Sequence, residues 1–234
     1  HPVTEAITNL DLVEMQIKFA LKMNGYKNHQ DDIGRSGHAI ECRLYAENPS
    51  KNFLPSPGLV THLKFPQDNR GLCIDTALTV GDEVTPYYDP LIAKIISWGV
   101  DRKAAVNGLK RALGETQVAG VKTNSQMLLD IIQHPEFMNG NYNTGFIPSH
   151  KDTLLTSNSP PSDLIIALAS LYLLLRRTAP SQEPVVNLVD PYSPWSSGDS
   201  WRLNLPAQEM MSFTDENGKI DVEVTFFSEG LAFC

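Results

Sequence analysis

The stretch Gly37-His38-Ala39-Ile40-Glu41-Cys42-Arg43-Leu44-Tyr45-Ala46 decides how the first part of this chain is read. Side chains alternate along an extended strand, so His38, Ile40, Cys42 and Leu44 fall on one side and Ala39, Glu41, Arg43 and Tyr45 on the other. One face is apolar and the other carries charge. Glu41 and Arg43 sit two apart on that charged face. A planar guanidinium placed there can hold a carboxylate or an enolate oxygen. The same pair can equally be a cross-strand salt bridge or a solvated face.

Before this strand, Leu12, Val13, Met15, Ile17, Phe19, Ala20 and Leu21 recur at mostly helical spacing. Asn9 or Asp11 is placed to cap that helix, and Asn24-Gly25 to stop it. His1-Pro2-Val3-Thr4-Glu5 gives a turn and an acidic first helical turn; a catalytic role for His1 is the other reading. After the strand, Pro55-Ser56-Pro57-Gly58 is a turn. Leu59, Thr61, Leu63 and Phe65 alternate on one face, Leu72–Thr76 is a short strand, and Gly81-Asp82 reads as a hairpin turn. Leu91–Trp98 has few polar residues and is expected to be covered on both faces. Asp89-Pro90, just before it, is an Asx turn or a ligand anchor. Asp101–Leu113 is a helix with the stripe Val106, Leu109, Leu113. Asn124–Gln133 is another, capped by Asn124 or Ser125 and stopped by His134-Pro135. Phe146 is a core aromatic or part of a base-stacking pocket. The mixture predicts an α+β domain over residues 1–150.

Thr153–Pro161 is rich in Ser, Thr and Pro and reads as a linker. Leu164–Leu175 is apolar except for Ser170 and Tyr172. It is too short for a bilayer, which takes about 20 apolar residues, so this helix is expected to be enclosed by protein. Trp201, Leu203 and Leu205 alternate, Asn217-Gly218 signals a hairpin, and Val222, Val224 and Phe226 alternate after it.

The net charge is −8 and no basic stripe occurs, which argues against a nucleic-acid partner. Three cysteines, Cys42, Cys73 and Cys234, with no C-x-x-C pair, argue against a disulfide framework and a zinc site; no metal ligand is assigned. No Gly-rich phosphate loop, H-E-x-x-H or G-x-S-x-G occurs. The first residue is His1, with no leader pattern ahead of it, so the chain reads as part of a longer polypeptide.

Several segments together resemble the biotin carboxylase family. They are His1–Glu5 with Leu10–Glu14, Gly37–Arg43 followed by Tyr45–Glu47, Phe53–Gly58, Gly81–Val84, Tyr88–Lys94, Val118–Asn124, and His134–Phe137 with Thr144–Ile147. Their order and spacing match across residues 1–150.

The resemblance implies a ligase of ATP-grasp type. MgATP and bicarbonate carboxylate the ureido nitrogen of biotin, so ATP, Mg, biotin and bicarbonate are the implied cofactors and co-substrates. It makes Arg43 the catalytic arginine that contacts biotin and stabilises its enolate oxygen, and gives Phe146 a place in the adenine pocket. The family's bicarbonate base, phosphate-binding and metal-binding residues lie ahead of the segment that matches His1, so the 234-residue chain alone is expected to be inactive.

Asp190–Trp195 and Gly198–Asn204 resemble the region after the carboxylase domain in 3-methylcrotonyl-CoA carboxylase α subunits, where a β-barrel wraps a helix and docks the carboxyltransferase β subunit. The biotin-bearing A-M-K-M motif is absent, so biotin is expected on a carrier domain elsewhere in the same full-length chain. The implied organisation is 1–36 as the end of an ATP-grasp lobe, 37–150 as the biotin carboxylase C-terminal domain, 151–162 as linker, and 163–234 as a partial helix-plus-barrel docking domain. A homo-oligomer is implied, placed in the cytoplasm if bacterial or in the mitochondrial matrix if eukaryotic, with no membrane partner. The alternatives are a propionyl-, acetyl- or geranyl-CoA, pyruvate or urea carboxylase subunit, or a non-catalytic dimerisation and docking module.

Overall fold

The computed structural model describes residues 1–23, 30–67, 71–154, 160–178, 207–215, 218–227 and 230–233. The chain divides into two compact units, residues 1–157 and 158–234.

The first unit opens with helices α1 (Pro2–Thr8) and α2 (Leu12–Ala20). Asp11 caps α2 by accepting from the Glu14 N–H at 2.8 Å, while Asn9 takes the left-handed conformation that closes α1. Glu5 does more than sweeten a helix end: its Oε1 accepts from the Leu12 N–H at 2.9 Å and ties α1 to α2. Helix α2 stops at Leu21, ahead of Asn24-Gly25, which lie outside the described residues. Its apolar side, Val13, Ile17 and Phe19, is exposed.

Strands β1 (His38–Tyr45), β2 (Leu72–Thr76) and β3 (Leu91–Gly99) form an antiparallel sheet with β3 in the middle. Strand β3 is buried through both faces, Ile95 and Ser97 on one and Ile96 on the other, as its run of apolar residues predicts. The apolar face of β1 alternates as read: Ile40, Cys42 and Leu44 are buried. Helix α3 (Arg102–Glu115) lies against it, started by Asp101, which accepts from the Ala104 N–H at 2.7 Å. Val106, Leu109 and Leu113 are its buried stripe and join Ile40, Cys42 and Ile95 in one core. Gly37 turns into β1 with φ 71°, and a Cβ there would stand 2.5 Å from the Gly99 carbonyl oxygen, so only glycine fits.

The segment 58–65 departs from its pattern. Val60 is fully buried and Leu59 is exposed, the reverse of the alternation. The reason is a change of partner: Gly58–Leu59 pairs with Glu83–Val84, then His62–Lys64 pairs with Gln117–Ala119. Gly81-Asp82 makes a turn, Asp82 accepting from the Thr79 N–H at 2.7 Å, yet no hairpin, because the strands on its two sides pair elsewhere.

Helices α4 (Ser125–Gln133), α5 (Pro135–Asn139), α6 (Phe146–Ser149) and α7 (Lys151–Leu154) complete the unit. Residues 151–154 are therefore helical rather than linker, because Leu154 buries against Met127 and Phe146. Residues 155–159 lie outside the described set.

In the second unit, α8 (Asp163–Thr178) packs on a three-stranded antiparallel sheet of β4 (Gln208–Thr214), β5 (Lys219–Phe227) and β6 (Gly230–Phe233). Val222 and Val224 of β5 meet Met211 and Leu174. Among the described residues the helix is covered on one side only. Ser170 and Leu174 are buried, and Leu164, Ile165, Leu168 and Tyr172 are exposed. The described sheet has three strands and is not a closed barrel. The hairpin between β4 and β5 forms, with Gly218 at φ 140°, while Asn217 and the 190–205 segment lie outside the described residues. Among the described residues, no helix is long and apolar enough to cross a membrane.

Asn124, 3% exposed, precedes α4 but does not cap it with its side chain. Its Nδ2 donates to the Arg43 carbonyl at 3.2 Å, and its Oδ1 accepts from the Tyr45 N–H at 3.0 Å. Asn124→Ala should strand both backbone groups and lower unfolding free energy by about 2–4 kcal/mol. Asn124→Asp, which cannot donate, should cost at least as much. Denaturant titration checks both, and a loss near zero would remove this amide from the account.

Candidate functional site

The charged face of β1 looks into an open cleft of about 570 Å³. Val3 of α1, His38, Glu41 and Arg43 of β1, Arg102 at the start of α3, and Phe137 and Tyr142 line it. The Arg43 side chain is 56% exposed and its Nε lies 3.5 Å from Glu41 Oε1. An ion pair so open to water is weak and leaves the cation available. The Tyr45 phenol first and Glu41 second push the Arg43 guanidinium above its ordinary value, so it is permanently charged. Lys94 of β3 lies directly across from Arg43, and Asp75 of β2 across from Lys94, giving a row of two cations and an anion on one sheet face.

The second guanidinium of the cleft is differently employed. Arg102 Nη1 stands 3.2 Å from His38 Nε2, its Nε donates to the Met138 carbonyl at 3.3 Å, and its Nη2 donates to the Phe137 carbonyl. Its plane lies over the rings of Phe137 and Tyr142, 5.1 and 5.3 Å from their centroids. Arg102 is thus fixed as wall, and Arg43 is the cation that a ligand entering the cleft can engage.

What sets Arg43 in place lies behind it. Asn124 holds the backbone on both sides of Leu44 and also donates to Glu47 Oε1 at 3.2 Å. Burial raises the Glu47 carboxyl above its ordinary value, the Asn124 hydrogen bond opposes that, and Asp89 adds to it. Asp89 therefore sits beside another carboxylate. On the opposite face of β1, burial, and then Glu41, push the Cys42 thiol up to about 12, which leaves it an inert core residue.

Residues 41–149 match the sequence pattern of the Biotin carboxylase C-terminal domain. This stretch belongs to that family. Over 230 residues, 98% of this chain and 32% of the relative, the chain is 40% identical to the mitochondrial methylcrotonoyl-CoA carboxylase subunit alpha of Dictyostelium discoideum. Biotin carboxylase 1 of Bacillus subtilis is 42% identical over 150 residues, 64% of this chain and 33% of that protein. Among solved structures, the biotin carboxylase domain dimer of Hydrogenobacter thermophilus 2-oxoglutarate carboxylase, in complex with MgADP, ADP and bicarbonate, is similar with a TM-score of 0.64 at 36% identity. That match covers 68% of this chain and 34% of that one. The chain spans about a third of the length of these relatives.

Within the biotin carboxylase C-terminal domain, the two site residues read from the sequence are not brought together. Arg43 lines the cleft. Phe146 does not line it: it is 7% exposed in a cluster with Met127 and Leu154, its ring against those of His134 and His150 and edge-on to Phe137 and Tyr142 of the cleft wall. That is the core-aromatic reading, with the ring's surroundings filled by its own neighbours. His1 caps α1 through its backbone and forms no part of the cleft. Sequence reading missed Arg102, Asn124 and Glu47. Glu47 stood inside a quoted motif and Asn124 at a helix start, but nothing local to either shows that they meet.

Because Glu47 has a raised carboxyl in the folded state, its protonated form is favoured by folding. The associated stability is full below its ordinary value of 4.5 and is lost as pH rises through the raised value. Glu47→Gln should therefore gain on the wild type as pH rises from about 4 to about 7. Thermal unfolding across that range checks it; a difference that does not change with pH would show that the carboxylate is not strained.

Proposed function

We propose that this chain is part of the biotin carboxylase-bearing α subunit of an acyl-CoA carboxylase of the methylcrotonoyl-CoA type. The observation that carries the reading is the extent of similarity. The methylcrotonoyl-CoA carboxylase relative aligns over 230 residues, through the second unit, whereas the Bacillus subtilis biotin carboxylase aligns over 150. In this reading, residues 1–36 close an ATP-grasp lobe, 37–150 are the C-terminal domain, and 163–234 begin a docking domain. There α8 is enclosed by a barrel that meets the carboxyltransferase β subunit. The open side of α8 is in keeping with further strands being added to it. The compartment would be the mitochondrial matrix in a eukaryote, as for the Dictyostelium relative, or the cytoplasm in a bacterium.

Arg43 is the residue of this chain that we assign to the reaction. Biotin, bound on its carrier domain, supplies a ureido nitrogen that accepts carboxylate from bicarbonate at the expense of MgATP. The cleft fits the ureido end in one respect that can be stated: Arg43 offers a permanent, exposed cation. Glu41 holds the guanidinium from one side, Asn124 fixes the strand beneath it, and Arg102 braces the far wall. A fixed cation placed where negative charge develops on an oxygen lowers the barrier without reorganisation.

In the polypeptide that also carries the nucleotide-binding part, Arg43→Ala should cut carboxylation of free biotin by about a hundredfold or more and leave the KM for ATP nearly unchanged. Arg43→Lys should recover little, because a point charge lacks the planar fork. Steady-state kinetics with free biotin decide it. Near-normal turnover, or a loss confined to ATP KM, would return Arg43 to a salt-bridge residue. The 234-residue chain alone should release no bicarbonate-dependent phosphate, and measurable release would overturn the assignment of the nucleotide site to residues outside it.

A further inference from the structure

Away from the Arg43 cleft, His134, Glu136 and His150 each place one ligand atom within 4.8 Å of the others. His134 is the junction of α4 and α5, Glu136 lies in the first turn of α5, and His150 follows α6. We propose that these three residues form a binding site for a divalent transition ion of the zinc type, bridging the α4–α5 junction to the α6–α7 junction.

The hydrogen bonds have already sorted the imidazole nitrogens. The Phe146 carbonyl lies 3.0 Å from His150 Nδ1, and a carbonyl only accepts, so Nδ1 carries the proton. The lone pair is then on Nε2, 3.6 Å from Glu136 Oε2. A backbone carbonyl fixing one nitrogen while the other stays open is the usual second layer of a metal-bound histidine. His134 Nδ1 accepts from the Glu136 N–H at 3.3 Å, so the ring's one lone pair is held only by this long bond, which an ion bound at Nδ1 would replace. The two rings stand 4.3 Å apart at 64°, and both rest on Phe146, at 5.1 and 4.6 Å.

The closing movement is small. Ligands of a tetrahedral zinc ion at about 2.0–2.1 Å lie about 3.3 Å from one another. The Glu136–His150 edge is already near that, and the Glu136 side chain is 53% exposed and able to turn. Two imidazoles and one carboxylate match zinc, cobalt or nickel rather than magnesium or calcium, which take oxygen ligands. One coordination position is left for water or an outside ligand. The competing account is that Glu136 and His150 form only a pH-dependent ion pair, which needs no metal.

Metal-stripped, untagged chain titrated with Zn²⁺ by calorimetry, and with Co²⁺ by visible absorption, separates the two. The site should saturate at one equivalent, raise the thermal midpoint, and ignore Mg²⁺. Partners one layer out from a metal are worth about 10–100-fold in affinity, so losing a direct ligand in E136Q, H134Q or H150Q should weaken binding by about a hundredfold or more. H62Q, at an exposed histidine paired with Gln117, should bind as wild type. E136Q alters an exposed side chain, so a folding loss in H150Q would leave the test intact. Absence of saturable binding, equal binding by Mg²⁺, or unchanged affinity in E136Q and H134Q would overturn the proposal.

Discussion

The buried amide of Asn124 is where the two halves of the first unit are tied together. Its Nδ2 serves the Arg43 carbonyl and Glu47, its Oδ1 takes the Tyr45 N–H, and its own backbone N–H reaches the Tyr45 carbonyl at 3.2 Å. These contacts fall where the pairing of β1 with β3 shifts register, between Leu44 and Tyr45. Beyond the shift Tyr45 still pairs with Leu91 and the Ala46 N–H reaches the Pro90 carbonyl, but the ladder is interrupted between them and the regular part of the strand. The amide reinforces the strand at that break, and with it come the direction of Arg43 and the start of α4. The helix gives up a side-chain cap so that the strand can be held.

The cleft divides two identical cations by what surrounds them. Arg102 has its donors on carbonyls and a histidine and its plane on aromatic rings, so it acts as masonry. Arg43 has one loose carboxylate and the Tyr45 phenol beside it and is more than half exposed. A guanidinium poised for a ligand must be positioned without being consumed, and the structure does this through the backbone rather than through strong side-chain pairs. The inert thiol of Cys42 behind it is consistent with a strand whose rear face serves packing alone.

Sequence and structure agree best where the information is local. The alternation of β1, the aspartate cap of α2, and the apolar run of β3 rest on period and on neighbours a few residues away. The site's supports are not local. Asn124 acts 79 and 81 residues back along the chain, and Arg102 acts 64 residues back. Val60 and Leu59 exchange places because two successive partners claim the 58–64 segment, and no period within one strand records which partner comes next. Phe146 carries the same limit: a lone aromatic reads alike whether it lines a pocket or fills a core, and the packing of His134 and His150 on its ring is set by three short helices meeting.

The strict alternation of β1 has an evolutionary side. Cys42 and Arg43 are neighbours in sequence with opposite duties, one sealed under α3 and the other open to the cleft. Adding or deleting a single residue between Gly37 and Arg43 would exchange those duties, sending a cation into the core and a thiol into the cleft. Gly37 closes the other escape, since the chain cannot absorb the extra residue by bulging where a Cβ has no room beside Gly99. This strand can therefore change in residue identity but not in length while the cleft is kept.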